Sequence, residues 1–288
     1  MNLLEAIELQ LPRGFTIRER LGTGATSWVY LAARDAGGAG GTEERLVVKV
    51  MRLGTVTDTT VARFFMEMQA LRKLEHPRIV PLLHTGEAKG ALFFTMPYIG
   101  GETLHARLRD RGPLSVVETL RAARDVADAL EHAHARGIVH RDVKPANVLL
   151  AGRRAYLMDF GFANTSVLAT ETTPDGKRLI VGTPDYMSPE QLTGRRADDW
   201  RGDLFSLGCV MFEMLTGQTP FAGGSSHAVM MRRLTEPPLD LRALRPDTPG
   251  DVADMVRRNL AVQPADRFAT AGALVVAIDS LLGRLGDD

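Results

Sequence analysis

The residues best able to do chemistry lie near the middle of the chain. Val139-His140-Arg141-Asp142-Val143-Lys144-Pro145-Ala146-Asn147 gathers a carboxylate, an amine and an amide, and Asp159-Phe160-Gly161 follows twelve residues after Asn147. Singly, an Asp or Asn in such a stretch reads as a turn former. Lys49 stands inside the apolar run Leu46-Val47-Val48-Lys49-Val50, where a charge without a partner is costly. Glu67 falls beside the stripe Phe64, Met68 and Leu71, spaced i, i+4 and i+7 on a helix predicted over residues 61–74. A carboxylate on a buried face calls for a cation, and Lys49 is the candidate. Upstream, Gly22-Thr23-Gly24-Ala25-Thr26-Ser27-Trp28-Val29 is a glycine turn whose backbone N–H groups can face an anion. Alone, it would be an ordinary hairpin turn.

The elements that must hold these residues change character along the chain. Phe15 to Arg18, Trp28 to Leu31 and Leu46 to Val50 read as strands, the first two joined by the glycine turn. From about residue 102 helices take over. Ser115 with Glu118 forms a capping box, and Leu120, Ala123, Ala127 and Leu130 carry a helical stripe toward Gly137. Residues 203–216 are apolar on nearly all sides and predict a buried helix. Further helices are expected at roughly 250–260 and 270–284. The fold class is therefore α+β, a β-rich N-terminal part before a helical C-terminal part.

Composition narrows the function classes. Among 288 residues, Lys plus Arg and Asp plus Glu number 35 each, which gives no basis for general attraction to nucleic acid or a membrane surface. The single cysteine, Cys209, has no internal partner and fits a reducing compartment, so a cytoplasmic setting is expected. Glu5 and Glu8 interrupt any signal-peptide core. The apolar stretch near 273–282 contains Asp279 and is too short to span a bilayer, so no membrane segment is expected. His132 and His134, two apart on a helix, point to different faces and make a poor metal site.

Taken together, the run around Asp142 and Asn147, Asp159-Phe160-Gly161 and Gly182-Thr183-Pro184-Asp185-Tyr186-Met187-Ser188-Pro189-Glu190 resemble the eukaryotic-type serine/threonine protein kinase family. The resemblance is closest in detail to bacterial members and runs from about Phe15 to Phe268. It implies a two-lobed kinase fold: an extension over 1–14 with no readable motif, an N-lobe over about 15–96, a hinge at 97–101 and a C-lobe over 102–284. It also implies transfer of the γ-phosphoryl group of ATP to protein Ser/Thr hydroxyls with Mg²⁺, or Mn²⁺ in its place. Asp142 would accept or orient the hydroxyl proton and Lys144 would place a cation by the phosphoryl group. Asn147 and Asp159 would ligate the metal, and Lys49, held by Glu67, would orient the α- and β-phosphates. Around the nucleotide the family pattern places Leu21, Gly22, Thr23, Gly24, Ala25, Thr26, Ser27, Val29, Val47, Met96, Pro97, Ile99 and Leu149. The Pro97 carbonyl and Ile99 N–H would pair with adenine, and Met96 would be the gatekeeper.

Three positions depart from the pattern: Ser27 replaces the third glycine, and Val47 and Ser188 each replace alanine. Lys144 and Thr183 imply serine/threonine specificity. Glu190 is expected to pair with Arg267, and Asp203 to accept hydrogen bonds from the catalytic-loop backbone. Arg141 implies control by phosphorylation within Thr165, Ser166, Thr170, Thr172 and Thr173, with Thr172 or Thr173 favoured. Partners would be protein substrates, including a second copy in trans. The alternatives are a nucleotide-binding pseudokinase scaffold and a kinase-like small-molecule phosphotransferase. The intact Lys49, Asp142, Asn147 and Asp159 weigh against the first. Ser188-Pro189-Glu190 and the helix opening at Asp203 weigh against the second.

Overall fold

The computed structural model describes residues 1–24, 27–35, 43–51, 58–160, 184–194, 199–223 and 225–286. The chain opens with α1 (Leu3–Glu8), capped reciprocally by Asn2 and Glu5. Strands β1 (Thr16–Thr23), β2 (Ser27–Arg34) and β3 (Glu44–Met51) follow, then α2 (Asp58–Leu71), β4 (His84–Ala88) and β5 (Ala91–Pro97). The five strands form one antiparallel sheet in the order β1-β2-β3-β5-β4. Helix α2 lies three residues upstream of the expected 61–74. The chain tightens after Leu71, where the Lys73 and Leu74 N–H groups donate to Ala70 and Leu71 at i−3 rather than i−4.

Register decides which side chains share a face, because paired residues in an antiparallel sheet point the same way. Val48 and Val50 are buried, and with Ala32, Leu46 and Phe93 they form a core covered by Ala6, Ile7, Leu11 and Phe15. Residues 1–14 thus contribute to the core of this unit: Ile7 is inaccessible, and the Glu8 carboxylate accepts from the Ile17 N–H (2.6 Å). Met1–Glu75 and Val80–Gly100 belong to one compact unit. His76–Ile79 belong with the described residues from Gly101 onward to the other.

The second unit begins with β6 (Glu102–Thr103), α3 (Leu104–Arg111) and α4 (Val116–His134). Gly101 has no room for a side chain, since a Cβ would run into the Leu150 carbonyl. Ser115 and Glu118 make the expected capping box on α4, and the bonds from Ser115 hold the Glu118 carboxyl below its ordinary range. Past α4, Gly137 takes a left-handed φ of 71°. A one-turn helix at Pro145–Asn147 leads into the hairpin β7 (Val148–Ala151) and β8 (Arg154–Leu157).

After a second short turn at Pro184–Tyr186 come α5 (Pro189–Thr193), α6 (Arg201–Thr216), α7 (Ser226–Thr235), α8 (Leu241–Leu244), α9 (Gly250–Asn259) and α10 (Ala271–Leu285). Helix α6 is buried from Gly202 to Phe212, as its all-round apolar sequence predicts. Helix α4 packs on α6, α10 and β8. The C-terminal apolar stretch is longer than expected. Pro264–Leu285, which runs from a short turn through α10, covers 22 residues and is long and apolar enough to cross a membrane by length and composition only. Within it Asp279 meets Arg124 (3.2 Å), while Ala271, Leu274, Ile278 and Leu281 are buried.

Candidate active site

The loop before β7 is assembled from backbone outward. Asp203, buried on the first turn of α6, accepts from the His140 N–H (2.8 Å), the Arg141 N–H (2.7 Å) and His134 Nε2 (2.8 Å). These bonds hold Arg141 in a left-handed conformation (φ 67°), a strained state for a non-glycine residue. Asp159 is left-handed too (φ 66°), so backbone strain falls on two positions of the motif. His140 Nδ1 accepts from the Asp142 N–H (3.2 Å), so its Nε2 carries the proton donated to the Met158 carbonyl (3.0 Å). Its ring packs on Phe160 at 4.5 Å.

Asp142 is thereby fixed at its backbone, and its side chain is fixed from one side. Oδ2 meets Lys144 Nζ (2.7 Å) and accepts from Asn147 Nδ2 (3.0 Å), which also donates to the Asp142 carbonyl (2.8 Å). The carboxylate remains about a third exposed (31%). Because the Asn147 amide nitrogen is committed to Asp142, its oxygen is turned the other way, a hard neutral ligand suited to Mg²⁺. The hairpin brings Asp159 to the same place: Val148 pairs with Leu157, and the Met158 N–H donates to the Asn147 carbonyl (3.0 Å). Twelve residues of sequence thus collapse to neighbouring positions. Leu149 sits on β7 between Thr103 and Tyr156, half-buried.

Burial works to raise the Asp203 pKa, but the bonds from His134 and His140 outweigh it and hold the group below the ordinary carboxylate value. A depressed folded pKa gives stability that is complete above the unfolded value and lost as pH falls through the folded one. Asp203→Asn is therefore expected to cost about 2–3 kcal/mol near neutrality. That gap to wild type should narrow below about pH 3.8. Urea midpoints measured between neutrality and acid check this, and a gap independent of pH would contradict it.

The expected Glu190–Arg267 pair is present and bidentate, at 2.6 and 2.9 Å, with Arg267 inaccessible to solvent. Ser188 finds a role where alanine was expected. Its Oγ caps α5 by accepting from the Gln191 N–H (3.4 Å), and Gln191 answers by accepting from the Ser188 N–H (2.8 Å). Gln191 Nε2 then donates to the Arg141 carbonyl (2.9 Å). His132 and His134 do diverge: His134 turns to Asp203, whereas His132 tilts onto His76 at 4.9 Å, where burial lowers both imidazole pKa values. Sequence reasoning missed Asp125, which accepts from Arg78 Nε (2.9 Å) and the Ala155 N–H (3.0 Å).

In the N-terminal unit, register places Val29 opposite Lys49, Lys49 opposite Phe94, and Val47 opposite Met96. Val29, Val47, Lys49 and Met96 therefore share the sheet face opposite the Val48–Val50 core. Lys49 Nζ lies 5.9 Å from the Phe94 ring centroid. Glu67 is half-buried on α2 in the same unit. Leu21, Gly22 and Thr23 end β1, the Gly24 N–H donates to the Ser27 carbonyl (2.8 Å), and Ser27 is buried. Pro97 ends β5 and Ile99 follows two residues on. Ala25, Thr26, Gly161, Thr183 and the five candidate hydroxyls from Thr165 to Thr173 lie outside the described residues.

A sheet unit followed by a helical unit, with an Asp–Lys–Asn loop set before a hairpin that ends at a second Asp, is the architecture of a two-lobed protein kinase. The family model described as protein kinase domain matches residues 15–276. The chain belongs to that family, and the curated relatives it matches are bacterial serine/threonine-protein kinases. It is 36% identical to serine/threonine-protein kinase pkn3 of Myxococcus xanthus over 250 residues, 82% of this chain and 45% of that protein. Against PknB of Mycobacterium tuberculosis it is 35% identical over 266 residues, 90% of this chain and 41% of that protein. The chain spans less than half the length of these curated relatives. The crystal structure of the Mycobacterium tuberculosis PknI kinase domain matches with TM-score 0.70 at 29% identity, covering 93% of this chain and 95% of that one.

Proposed function

We propose that this chain transfers the γ-phosphoryl group of ATP to serine and threonine hydroxyls of proteins. The observation that carries the reading is the Asp142 carboxylate. One oxygen is fixed by Lys144 and Asn147 while the group stays partly open, so it can take a hydrogen bond from an acceptor hydroxyl. Lys144, beside it, balances negative charge gathering on the transferring group. Asn147 and Asp159 would hold Mg²⁺ through oxygen atoms, as the committed amide nitrogen of Asn147 favours. Bound there, Mg²⁺ supplies neutralisation of phosphate charge. Mn²⁺ would suit the same oxygen ligands.

In the N-terminal unit, Val29, Val47 and Met96 offer an apolar face to adenine, with Pro97 and Ile99 giving backbone groups to its polar edge. Lys49, oriented by Glu67, meets the α- and β-phosphates, and the turn from Leu21 to Ser27 covers them. By the family pattern, Leu149 on β7 is a further apolar residue for the nucleotide. Lys144 supports serine/threonine rather than tyrosine acceptors. A phosphate on Thr172 or Thr173, placed in trans by a second copy, would pair with Arg141 and order the loop. A reducing cytoplasm fits Cys209, a buried thiol whose pKa burial pushes up to about 12.

The test is incubation with γ-labelled Mg·ATP and a generic basic protein, followed by acid hydrolysis. Label is expected in phosphoserine and phosphothreonine. Label in phosphotyrosine, or no protein-bound label, would overturn the reading.

A further inference from the structure

Helix α7 carries an arginine whose surroundings are unlike those of a surface charge. Arg233 is completely buried, with its guanidinium 5.3 Å from the Phe221 ring centroid and 5.8 Å from that of Phe205. Those rings stack on one another at 6.1 Å. Burial lowers the guanidinium pKa from its ordinary value. A methionine would fill this space at far less desolvation cost. What a methionine lacks is a planar fork of donors.

The fork is used on one segment. Nη2 donates to the Asp185 carbonyl (2.6 Å) and Nη1 to the Met187 carbonyl (2.7 Å). The Tyr186 carbonyl between them accepts from Ser206 Oγ of α6 (2.7 Å), and the Tyr186 hydroxyl donates to Glu213 Oε2 (2.6 Å). Beyond Met187 the chain enters the Ser188–Gln191 capping box, and Gln191 Nε2 donates to the Arg141 carbonyl, the residue before Asp142. Residues 185–191 are therefore anchored at one end by Arg233 and fastened at the other to the loop that carries Asp142.

We infer that Arg233 is a positioning residue for the protein acceptor: by clamping the Asp185 and Met187 carbonyls it sets the segment that aligns the acceptor hydroxyl with Asp142. The inference rests on the kinase reading above. It assigns to α7, which holds none of the residues in the nucleotide or phosphate set, a part in alignment on the acceptor side. Water needs no such alignment, so ATP hydrolysis without a protein acceptor isolates the nucleotide side.

The experiment compares wild type, Arg233→Met and Arg233→Lys as the full chain. For each, kcat and KM are measured with a basic protein acceptor, alongside ATP hydrolysis without acceptor and the thermal midpoint. Arg233→Met is expected to lower kcat/KM for the protein by about tenfold to a hundredfold while hydrolysis stays within about twofold, the scale of a misplaced reacting group. Arg233→Lys keeps the charge but cannot span both carbonyls, so it should fall between. It also carries the test if the methionine variant does not fold. Transfer and hydrolysis falling by one common factor, or neither falling, would overturn the inference. Wild type transferring no more label than Asp142→Asn would instead overturn the kinase reading, and the inference with it.

Discussion

Asp142→Asn is expected to lower phosphoryl transfer to protein about a thousandfold or more, roughly 4 kcal/mol of transition-state stabilisation. The substitution preserves shape. An amide oxygen at the same place can still accept from Asn147 Nδ2 and face Lys144, so the loop has reason to keep its conformation. What disappears is the charge and basicity that, in the proposed reaction, orient and receive the acceptor proton. Lys49→Met and Asp159→Asn should give losses of the same order by another route, through the nucleotide phosphates and the metal rather than the acceptor. Single-turnover label transfer measures all three. Asp142→Asn within about tenfold of wild type would remove this residue from the reaction.

The largest stability effect is expected at Arg267. Its Nη1 and Nη2 hold Glu190, and its remaining donors reach the carbonyls of Arg201 (2.8 Å), Ala261 (2.9 Å) and Val262 (3.1 Å). One side chain therefore ties α5, the start of α6 and the turn after α9. Arg267→Met strands a buried carboxylate and those carbonyls together, which should cost about 3–5 kcal/mol. At about 2–4 °C per kcal/mol for a chain of this size, the thermal midpoint should fall by about 10 °C. Glu190→Gln should cost less, because an amide oxygen can keep one of the two bonds. A loss under about 1 kcal/mol for Arg267→Met would mean the pair is replaceable by packing.

The stretch from Asp142 to Asn147 and the later Asp159 stood out in the sequence by type and spacing, while their roles were read from the family pattern. Asp142, Lys144 and Asn147 lie on one loop, and the hairpin that carries Asn147 to Asp159 is set by the length between them. Asp203 and the Glu190–Arg267 pair were legible only through the family pattern, because their partners lie 50 to 80 residues away with no period to link them. Arg233 was invisible in the sequence: beside Arg232 on an amphipathic helix it reads as another surface charge, and Phe205 and Phe221 reveal otherwise. The α1 cap did leave a signal, since Asn2 and Glu5 have capping-box spacing before an apolar run. The start of α2 was misplaced because its stripe fits a helix anywhere in that window, and stripes do not fix ends.

The most direct test of the account is titration of Mg·ATP into wild type and Asp142→Asn, run beside label transfer to protein. The roles assigned here require affinities equal within about twofold with transfer lost only in the variant, since Asp142 acts on the acceptor and not on the nucleotide. Undiminished transfer by Asp142→Asn, or failure of wild type to bind Mg·ATP, would contradict it.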